Sequence, residues 1–263
     1  MFTAKIVNSA GQMLTLTNNE PYFQLFNITG IDPPNATVNL LNVATIDGTV
    51  FNSSKLQTRN IVLYLRINGN VETNRHTLYR YFRVKEPCTF YYKNDTVDVK
   101  IDGYVESVSV PMFTNSEVMQ ISILCPDPYF KSVGSYTTTL AADAQTKITT
   151  HSQSAVGMTI TIGIRTTVSN IIIQNTVTNK YIRFTNSQFY SGDTITINTR
   201  QGQKSIILTR SGVESNRIGD LAEGSTFLQL ASGDNYFSYE GNSGAANQYM
   251  DVTVEYSDEY RGV

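Results

Sequence analysis

VMQISILCPDPYF, residues 118–130, joins a strand pattern to a segment that cannot continue it. Met119, Ile121 and Ile123 alternate with other residues, which predicts a half-buried strand that carries these side chains on one face. Pro126 and Pro128 lack backbone N–H groups and bias the residues before them toward extended geometry. We therefore predict a rigid interdomain turn whose last two residues, both aromatic, anchor the chain as it leaves the first domain. This turn consists of Cys125, Pro126, Asp127, Pro128, Tyr129 and Phe130.

The chain changes character after this turn. Residues 131–154 are polar and show little apolar periodicity, which is typical of a connection rather than of a core strand. A chain of 263 residues is long enough for two modest domains. We predict an N-terminal domain over residues 1–135 and a C-terminal domain over residues 136–263.

Period-two alternation dominates both halves of the sequence. IVLYLRIN, residues 61–68, places Ile61, Leu63 and Leu65 on one face, and MTITIGIR, residues 158–165, repeats the pattern in the second half. Such patterns indicate half-buried strands of antiparallel sheets. Three strand pairs are predicted: residues 85–101 around Asn94-Asp95, residues 193–216 around Gly202, and residues 227–240 around the turn Ser232–Asn235.

One helix is predicted in the first half. Residues 72–87 hold Leu78 and Phe82 at helical spacing, and Thr73 or Asn74 is the expected N-cap. Many short strands separated by turn signals favour sandwiches or barrels. The predicted fold class is therefore mainly β, with one helix added to the N-terminal domain.

Charge and apolar pattern argue against several classes of protein. The 20 basic and 22 acidic residues give a net charge of −2, and no run of Lys or Arg provides the basic footprint of a nucleic-acid binder. No apolar run approaches the roughly 20 residues that a membrane-spanning helix needs. The N-terminus lacks the continuous apolar region of a signal peptide. We expect a protein made in a cytoplasm, without membrane insertion or sequence-specific nucleic-acid binding.

The two cysteines, Cys88 and Cys125, leave two possibilities open. They form a disulfide if the fold brings them together, or they remain two buried free thiols. The second possibility is favoured because no signal peptide directs the chain to an oxidising compartment. No CxxC motif is present, which argues against a zinc ribbon.

Residue types that carry catalysis are sparse. His76 and His151 are the two histidines, and they lie far apart in the sequence. No HExxH, GxSxG or P-loop pattern occurs. The turns SGDT (191–194) and SGDN (232–235) offer oxygen ligands, but they lack the carboxylate density of a calcium loop. We predict no catalytic residue, no metal site and no cofactor.

A pair of carboxylates acting as a glycosidase remains the third functional hypothesis. Its two carboxyl groups would have to face one cleft within about 10 Å of each other. Alternation places Asp98 and Asp102 on the solvent face of their strand, so solvated charge is the favoured interpretation. The candidates are Asp98, Asp102, Asp193 and Glu255.

An ordered series of segments resembles the distal tail proteins of long-tailed phages, which are the hub subunits of the baseplate. The resemblance covers most of the chain, and the order of the segments makes it specific. In the first half the segments are FNITGIDPPNATVNL (26–40), DGTVFNSSKLQTRNIVLYLRI (47–67), HTLYRYF (76–82), VKIDGYVESV (99–108) and ISILCPDPYFKS (121–132). In the second half they are NKYIRF (179–184), TITINTRQGQKSIILTRSGVESN (194–216), GSTFLQLASGDNYFSY (224–239) and EYRGV (259–263).

The resemblance implies an N-terminal β-sandwich with an added helix and a C-terminal sandwich resembling galectins or carbohydrate-binding modules. It also implies a ring, usually a hexamer, at the tail tip of the virion. The ring's expected partners are the tail tube protein, a tail-associated tip protein and receptor-binding proteins, and its channel is left open for DNA. Asp127 then either pairs across a ring interface or belongs to a rigid turn without intersubunit contact, and the latter is favoured.

A carbohydrate-binding module is the alternative function. Sugars stack on aromatic rings, and the second half is rich in them, but alternation directs part of this set into the core and Trp is absent. Aromatic packing is therefore favoured over a glycan site, because fold similarity alone does not transfer sugar binding. The candidate glycan-facing aromatics are Tyr181, Tyr190, Tyr236 and Tyr239.

Overall fold

The computed structural model confirms a mainly β chain with one α-helix among the residues that it describes. It divides into two compact units, and the last four residues belong to the first unit. Unit 1 is Met1–Val133 with Tyr260–Val263, and unit 2 is Gly134–Glu259. The described residues are 2–110, 118–142, 144–185, 187–242 and 249–263.

The first unit contains ten strands and the helix over its described residues. They are β1 (Thr3–Asn8), β2 (Met13–Leu16), β3 (Phe23–Thr29), β4 (Ala36–Asn42), β5 (Thr49–Leu56), β6 (Arg59–Ile67), α1 (Val71–Tyr81), β7 (Pro87–Lys93), β8 (Asp98–Ser109), β9 (Val118–Cys125) and β10 (Phe130–Ser132).

The second unit continues with strands and a short 3-10 turn, Ile218–Asp220. The strands are β11 (Tyr136–Thr139), β12 (Thr146–Thr150), β13 (Thr159–Ile164), β14 (Val168–Ser169), β15 (Ile172–Asn175), β16 (Lys180–Arg183), β17 (Gln188–Phe189), β18 (Thr194–Asn198), β19 (Ser205–Arg210), β20 (Val213–Asn216), β21 (Gly233–Glu240) and β22 (Met250–Tyr256). The last strand, β23 (Glu259–Tyr260), leads the chain back to unit 1.

Unit 1 is built around an antiparallel sheet in the order β2-β1-β7-β8-β9-β6-β3, with β10 beside β8 and β23 beside β10. The predicted hairpin over residues 85–101 is confirmed as β7 and β8, which pair from Pro87↔Tyr104 to Lys93↔Asp98. Alternation in β6 is also confirmed, since Ile61, Leu63 and Leu65 are completely buried. The buried apolar side chains of these strands form the core of unit 1.

The helix begins earlier than predicted. Its N-cap is Asn70, whose side-chain oxygen accepts a hydrogen bond from the backbone N–H of Thr73 at 3.2 Å, so the predicted caps Thr73 and Asn74 lie inside the helix. An Asn at the N-cap satisfies one of the N–H groups that a helix start leaves unpaired. Leu78 and Phe82 are buried against the sheet's core, as their spacing predicted.

Unit 2 contains a six-stranded sheet, β11-β22-β13-β18-β19-β20, and a four-stranded sheet, β12-β21-β15-β16, in its described part. One continuous apolar cluster includes Ile160 and Ile195 from the first sheet and Ile173 and Phe237 from the second. Two sheets that share one core in this way form a β-sandwich.

The strand pair predicted over residues 227–240 is wrong. Only Gly233–Glu240 forms a strand there, and Leu230 instead makes an isolated bridge with Val156. The Asn235 side chain accepts a hydrogen bond from the backbone N–H of Ala231 at 2.9 Å and donates to the carbonyl of Ala231 at 2.8 Å. The turn is therefore stabilised by a buried amide side chain, and its two ends do not form a ladder with each other.

Both cysteines are free and buried, as favoured from the sequence. Burial raises the pKa of the Cys88 thiol to about 12, and burial, assisted by the neighbouring Cys88, raises the pKa of Cys125 to about 12 as well. The thiolate is the reactive form of cysteine, so both groups are expected to be inert in the folded protein.

We expect Ellman's reagent to react with neither thiol at pH 8 on the time scale that suffices for an exposed cysteine. Protein unfolded in guanidinium should release the colour of both thiols and serves as the internal control. Rapid reaction of either cysteine without denaturant would contradict the burial of these strands.

Candidate assembly surfaces

The predicted interdomain turn is held by contacts within its own unit. Asp127 accepts a hydrogen bond from the backbone N–H of Tyr129 at 3.2 Å and forms an ion pair with Lys131 at 2.8 Å. Cys125 and Phe130 on either side of the turn are completely buried. The two prolines thus lie between two anchored residues, and the Asp127 carboxylate has a partner in its own chain.

Arg59 lies beneath this turn and was not singled out from the sequence. Its side chain is almost fully buried, and its guanidinium donates hydrogen bonds to four backbone carbonyls. Nε donates to Pro128 at 2.8 Å, Nη1 donates to Gly30 at 2.5 Å and to Asp32 at 2.6 Å, and Nη2 donates to Arg261. One cation therefore connects three segments that are distant in sequence.

The Phe130 ring packs against the Arg59 guanidinium. The Arg59 guanidinium carbon lies 4.6 Å from the centre of the ring, which is a cation–π geometry. Burial lowers the pKa of the Arg59 guanidinium from its ordinary value. The group stays protonated because an arginine pKa begins far above neutrality, so it remains a donor only.

The hairpin of β4 and β5 forms a separate two-stranded sheet. Most of its residues are exposed, and an unusual share of them is apolar. At its base, the N–H of Gln57 donates to the carbonyl of Asn35 at 2.8 Å. Its exposed large apolar residues are Val38, Leu40, Leu41, Val43, Ile46, Val50 and Phe51, with exposed fractions from 39% for Val43 to 62% for Phe51.

Both faces of this hairpin carry apolar side chains. Leu40 lies opposite Phe51 and Leu41 lies opposite Val50. Directly paired residues point to the same face and successive residues point to opposite faces, so the two pairs lie on opposite sides. A strand that is apolar on both sides is typical of one covered on both sides. The signal in the sequence was this run without alternation, LLNVATI at 40–46.

The four candidate glycan-facing aromatics do not form one surface. Tyr239 is only 7% exposed, and its hydroxyl donates to the carbonyl of Met250 at 3.4 Å, so its proposed exposure is wrong. Tyr181 and Tyr236 point to the outer face of the four-stranded sheet, because their strand neighbours Ile182 and Phe237 point inward. The alternation that builds the core thus divides the set.

Two of these rings already stack with arginines. The Arg183 guanidinium lies 5.2 Å from the Tyr181 ring centre, and the Arg210 guanidinium lies 4.7 Å from that of Tyr190. Sugar stacking needs a free ring face, and each of these cations covers one face of its ring. Tyr190 follows β17 and belongs to a separate cluster around Asp193.

Asp193 is the most buried of the four glycosidase candidates, at 3% exposed. Arg210 donates to Oδ1 through Nε at 2.8 Å and to Oδ2 through Nη2 at 2.5 Å, and the N–H of Tyr190 donates to Oδ2 at 2.9 Å. The hydrogen bonds from Arg210 hold the pKa of Asp193 below its usual range. The carboxylate in the SGDT turn is therefore already satisfied by protein donors.

The other candidate side chains are dispersed over the surface. Asp98 pairs with Lys93 at 2.7 Å, and Asp102 accepts a hydrogen bond from the Thr89 hydroxyl at 2.7 Å. In the SGDN turn, Asp234 pairs with Lys147 at 2.8 Å. Over the described ranges, no three His, Cys, Asp or Glu side chains come together as metal ligands would.

The two histidines lie in different units, with His76 in α1 and His151 after β12. His76 contacts the Glu72 carboxylate at 3.0 Å, and the backbone N–H of His151 donates to Asp258 at 3.2 Å. Each of these contacts lies within one unit.

In the part of the chain that the structure describes, no helix has the length and apolarity that a membrane span requires.

The pair of Asp193 and Arg210 predicts a pH-dependent contribution to stability. Because the folded-state pKa of Asp193 is lowered, its stabilisation is present above the ordinary pKa of about 3.9 and is lost as the pH falls through the lower folded value. We expect Asp193→Asn to reduce the free energy of unfolding by about 2 kcal/mol at pH 7, a typical value for hydrogen bonds to a charged group.

Urea titrations at pH 7, 5, 4 and 3 measure this difference. The gap between the wild type and Asp193→Asn should narrow below about pH 4, where protonation removes the charge that the variant lacks. Asp251→Asn is the matched control, since Asp251 pairs with Arg165 on the surface. This variant should lose less than about 1 kcal/mol of its free energy of unfolding. Equal losses for both variants would contradict a special role for the buried pair.

Comparisons with known proteins place both halves of the chain among phage tail components. The family described as a phage tail protein RIFT-related domain matches residues 10–125, and the siphovirus-type tail component, C-terminal domain, matches residues 151–260. No curated protein sequence matched the chain.

Solved structures give the same result at the level of the fold. The crystal structure of the SPP1 Dit (gp 19.1) protein, described as a paradigm of hub adsorption apparatus in Gram-positive infecting phages, matches with a TM-score of 0.71. The identity is 16% over 99% of each chain. A chain of the phage P2 baseplate in its activated conformation with calcium matches with a TM-score of 0.51 and 12% identity over 100% of each chain.

Proposed function

The chain belongs to the distal tail protein family of siphophages, and on this premise we propose that it forms the ring-shaped hub of a phage tail tip. The ring is a hexamer, joins the tail tube to the tail-tip and receptor-binding proteins, and leaves a channel for DNA. The protein acts at the virion tail after synthesis in the host cytoplasm. Its role is structural and requires no catalytic site or cofactor.

The exposed hairpin of β4 and β5 is the observation that carries this proposal. An isolated two-stranded hairpin is marginally stable in water, and three or more strands or a covering partner are normally needed. This hairpin instead presents apolar residues to solvent on both faces. A second subunit that covers the hairpin would remove this cost.

The amount of exposed apolar surface supports the same conclusion. The seven large apolar side chains of the hairpin, each 39% to 62% exposed, present together on the order of 600 Å² summed over its two faces. A neighbour that buries both faces would approach the roughly 800 Å² per partner of a stable interface.

Cyclic symmetry explains how one hairpin per chain suffices. In a ring each subunit places the same surface against a different surface of the next subunit, and the rotation closes the chain of contacts. The occupant of the hairpin is therefore a second copy of this protein. Each subunit gives its hairpin to one neighbour and receives one from the other.

Replacing Leu40 and Phe51 together by serine tests the proposal. Burial of one such side chain is worth about 1.5–3 kcal/mol, and the loss recurs at every contact of the ring. Native mass spectrometry should find the wild type near six times 29.3 kDa and the double variant near 29.3 kDa. Replacing Leu41 and Val50 together tests the opposite face and should also weaken the ring.

The control is Val213→Ser, because Val213 is 69% exposed on β20 of unit 2 and lies outside the hairpin. Far-UV circular dichroism should give all variants the β-rich spectrum of the wild type, which shows that each variant is folded. Unchanged ring mass in both hairpin variants would exclude the hairpin as the contact. A wild type that remains at 29.3 kDa at every concentration would count against the ring itself.

The carbohydrate-binding alternative has less support. Of its four aromatic residues, Tyr239 is buried and the rings of Tyr181 and Tyr190 are each stacked with an arginine. Binding of the full-length protein to a glycan array, lost on Tyr236→Ala, would favour this alternative over the purely structural role.

A further inference from the structure

We propose that Arg59 is a positioning residue for the hairpin, and that it couples the base of the hairpin to both chain connections between the two units. The inference goes beyond the ring, since it concerns the geometry within one subunit. The same guanidinium contacts the segment before β4, the turn after β9 and the returning C-terminal segment.

Two segments connect the hairpin to the main sheet, and we call them its legs: residues 30–35 before β4 and residues 57–58 after β5. Before β4, the carbonyls of Gly30 and Asp32 accept hydrogen bonds from Nη1 of Arg59. After β5, the chain reaches Arg59 itself as the first residue of β6. The guanidinium thus closes the hairpin from one leg to the other, outside the backbone bond between Gln57 and Asn35.

Gly30 allows the first leg to approach this closely. Its φ is +82°, a conformation that favours glycine, and an added Cβ would lie 1.9 Å from the carbonyl oxygen of Asn60. The leg therefore lies directly against the backbone of β6. At this close approach, the carbonyl of Gly30 accepts the hydrogen bond from Nη1 of Arg59.

The other two carbonyls that accept hydrogen bonds from Arg59, those of Pro128 and Arg261, lie on the chain connections to unit 2. Pro128 lies just before the chain leaves unit 1 after Val133, and Arg261 lies just after it returns at Tyr260. The returning segment also reaches the hairpin leg directly, since the N–H of Val263 donates to the carbonyl of Ile31 at 3.1 Å.

A planar guanidinium fixes these positions relative to one another. Its donors form a rigid fork, so four carbonyls bound to one group share one geometry. An ammonium group is a compact charge with three donors, and it cannot reproduce the directions of the fork. If the segment at Pro128 or Arg261 moves, the guanidinium moves with it and its hydrogen bonds to Gly30 and Asp32 change. Movement of the segment at Gly30 and Asp32 likewise changes the hydrogen bonds to Pro128 and Arg261.

Hydrogen exchange on full-length Arg59→Lys tests the proposal. We expect amide exchange to become about tenfold faster or more in three segments together: residues 30–35, residues 126–132 and residues 260–263. The variant retains a positive charge, so the effect reports the lost fork. The measurement is made on wild type and variant in the same oligomeric state, and it stands whether or not rings form.

Arg66→Lys is the matched control on the same strand. The Arg66 side chain is exposed, and its guanidinium lies 5.7 Å from the Phe26 ring centre, so this change should leave the three segments as in the wild type. Faster exchange after Arg59→Lys in only one of the segments would overturn the coupling. Equal effects of the two variants would also overturn it.

Gly262→Ala provides a second test if Arg59→Lys fails to fold. An added Cβ at Gly262 would lie 2.7 Å from Cδ and 2.9 Å from N of Pro33, so the returning segment or the hairpin leg must shift. We expect faster exchange at residues 126–132 as well, although neither Gly262 nor Pro33 belongs to that segment. An effect confined to residues 30–35 and 260–263 would contradict transmission through Arg59.

Discussion

One buried guanidinium connects three segments of unit 1 that lie outside the strands. The carbonyls of Gly30, Asp32, Pro128 and Arg261 all accept hydrogen bonds from it. Arg59 satisfies all four at once, and the cation is itself satisfied by their dipoles. The base of the hairpin and both chain connections contact this group, and we propose that the position of the assembly surface depends on it.

Period-two alternation made the fold class predictable from the sequence. It identified the buried face of β6 through Ile61, Leu63 and Leu65, and the same phase contains Arg59 two residues earlier. Asp193 likewise lies in phase with the buried Ile195 of the next strand. A charged residue in phase with an apolar face is therefore a signal for a buried, fully bonded charge, and it could have identified both. Their partners could not be predicted, because they come from distant parts of the chain.

The errors have physical causes of the same kind. Leu228 and Leu230 alternate as a strand does, but alternation reports which side is buried and does not report which backbone supplies the hydrogen bonds. The aromatic set failed because Tyr239 follows the inward phase and Tyr236 the outward phase of one strand. The hairpin was missed because its apolar residues lack alternation.

The hub that we propose is thus a β unit that carries an apolar hairpin for a neighbour, with a β-sandwich unit inserted in the chain between Val133 and Tyr260. Electron microscopy of the purified wild-type protein tests this account most directly. The account predicts closed rings whose class averages show six-fold symmetry and a central opening. Fields of single 29.3 kDa particles across the accessible concentration range, without rings, would contradict it.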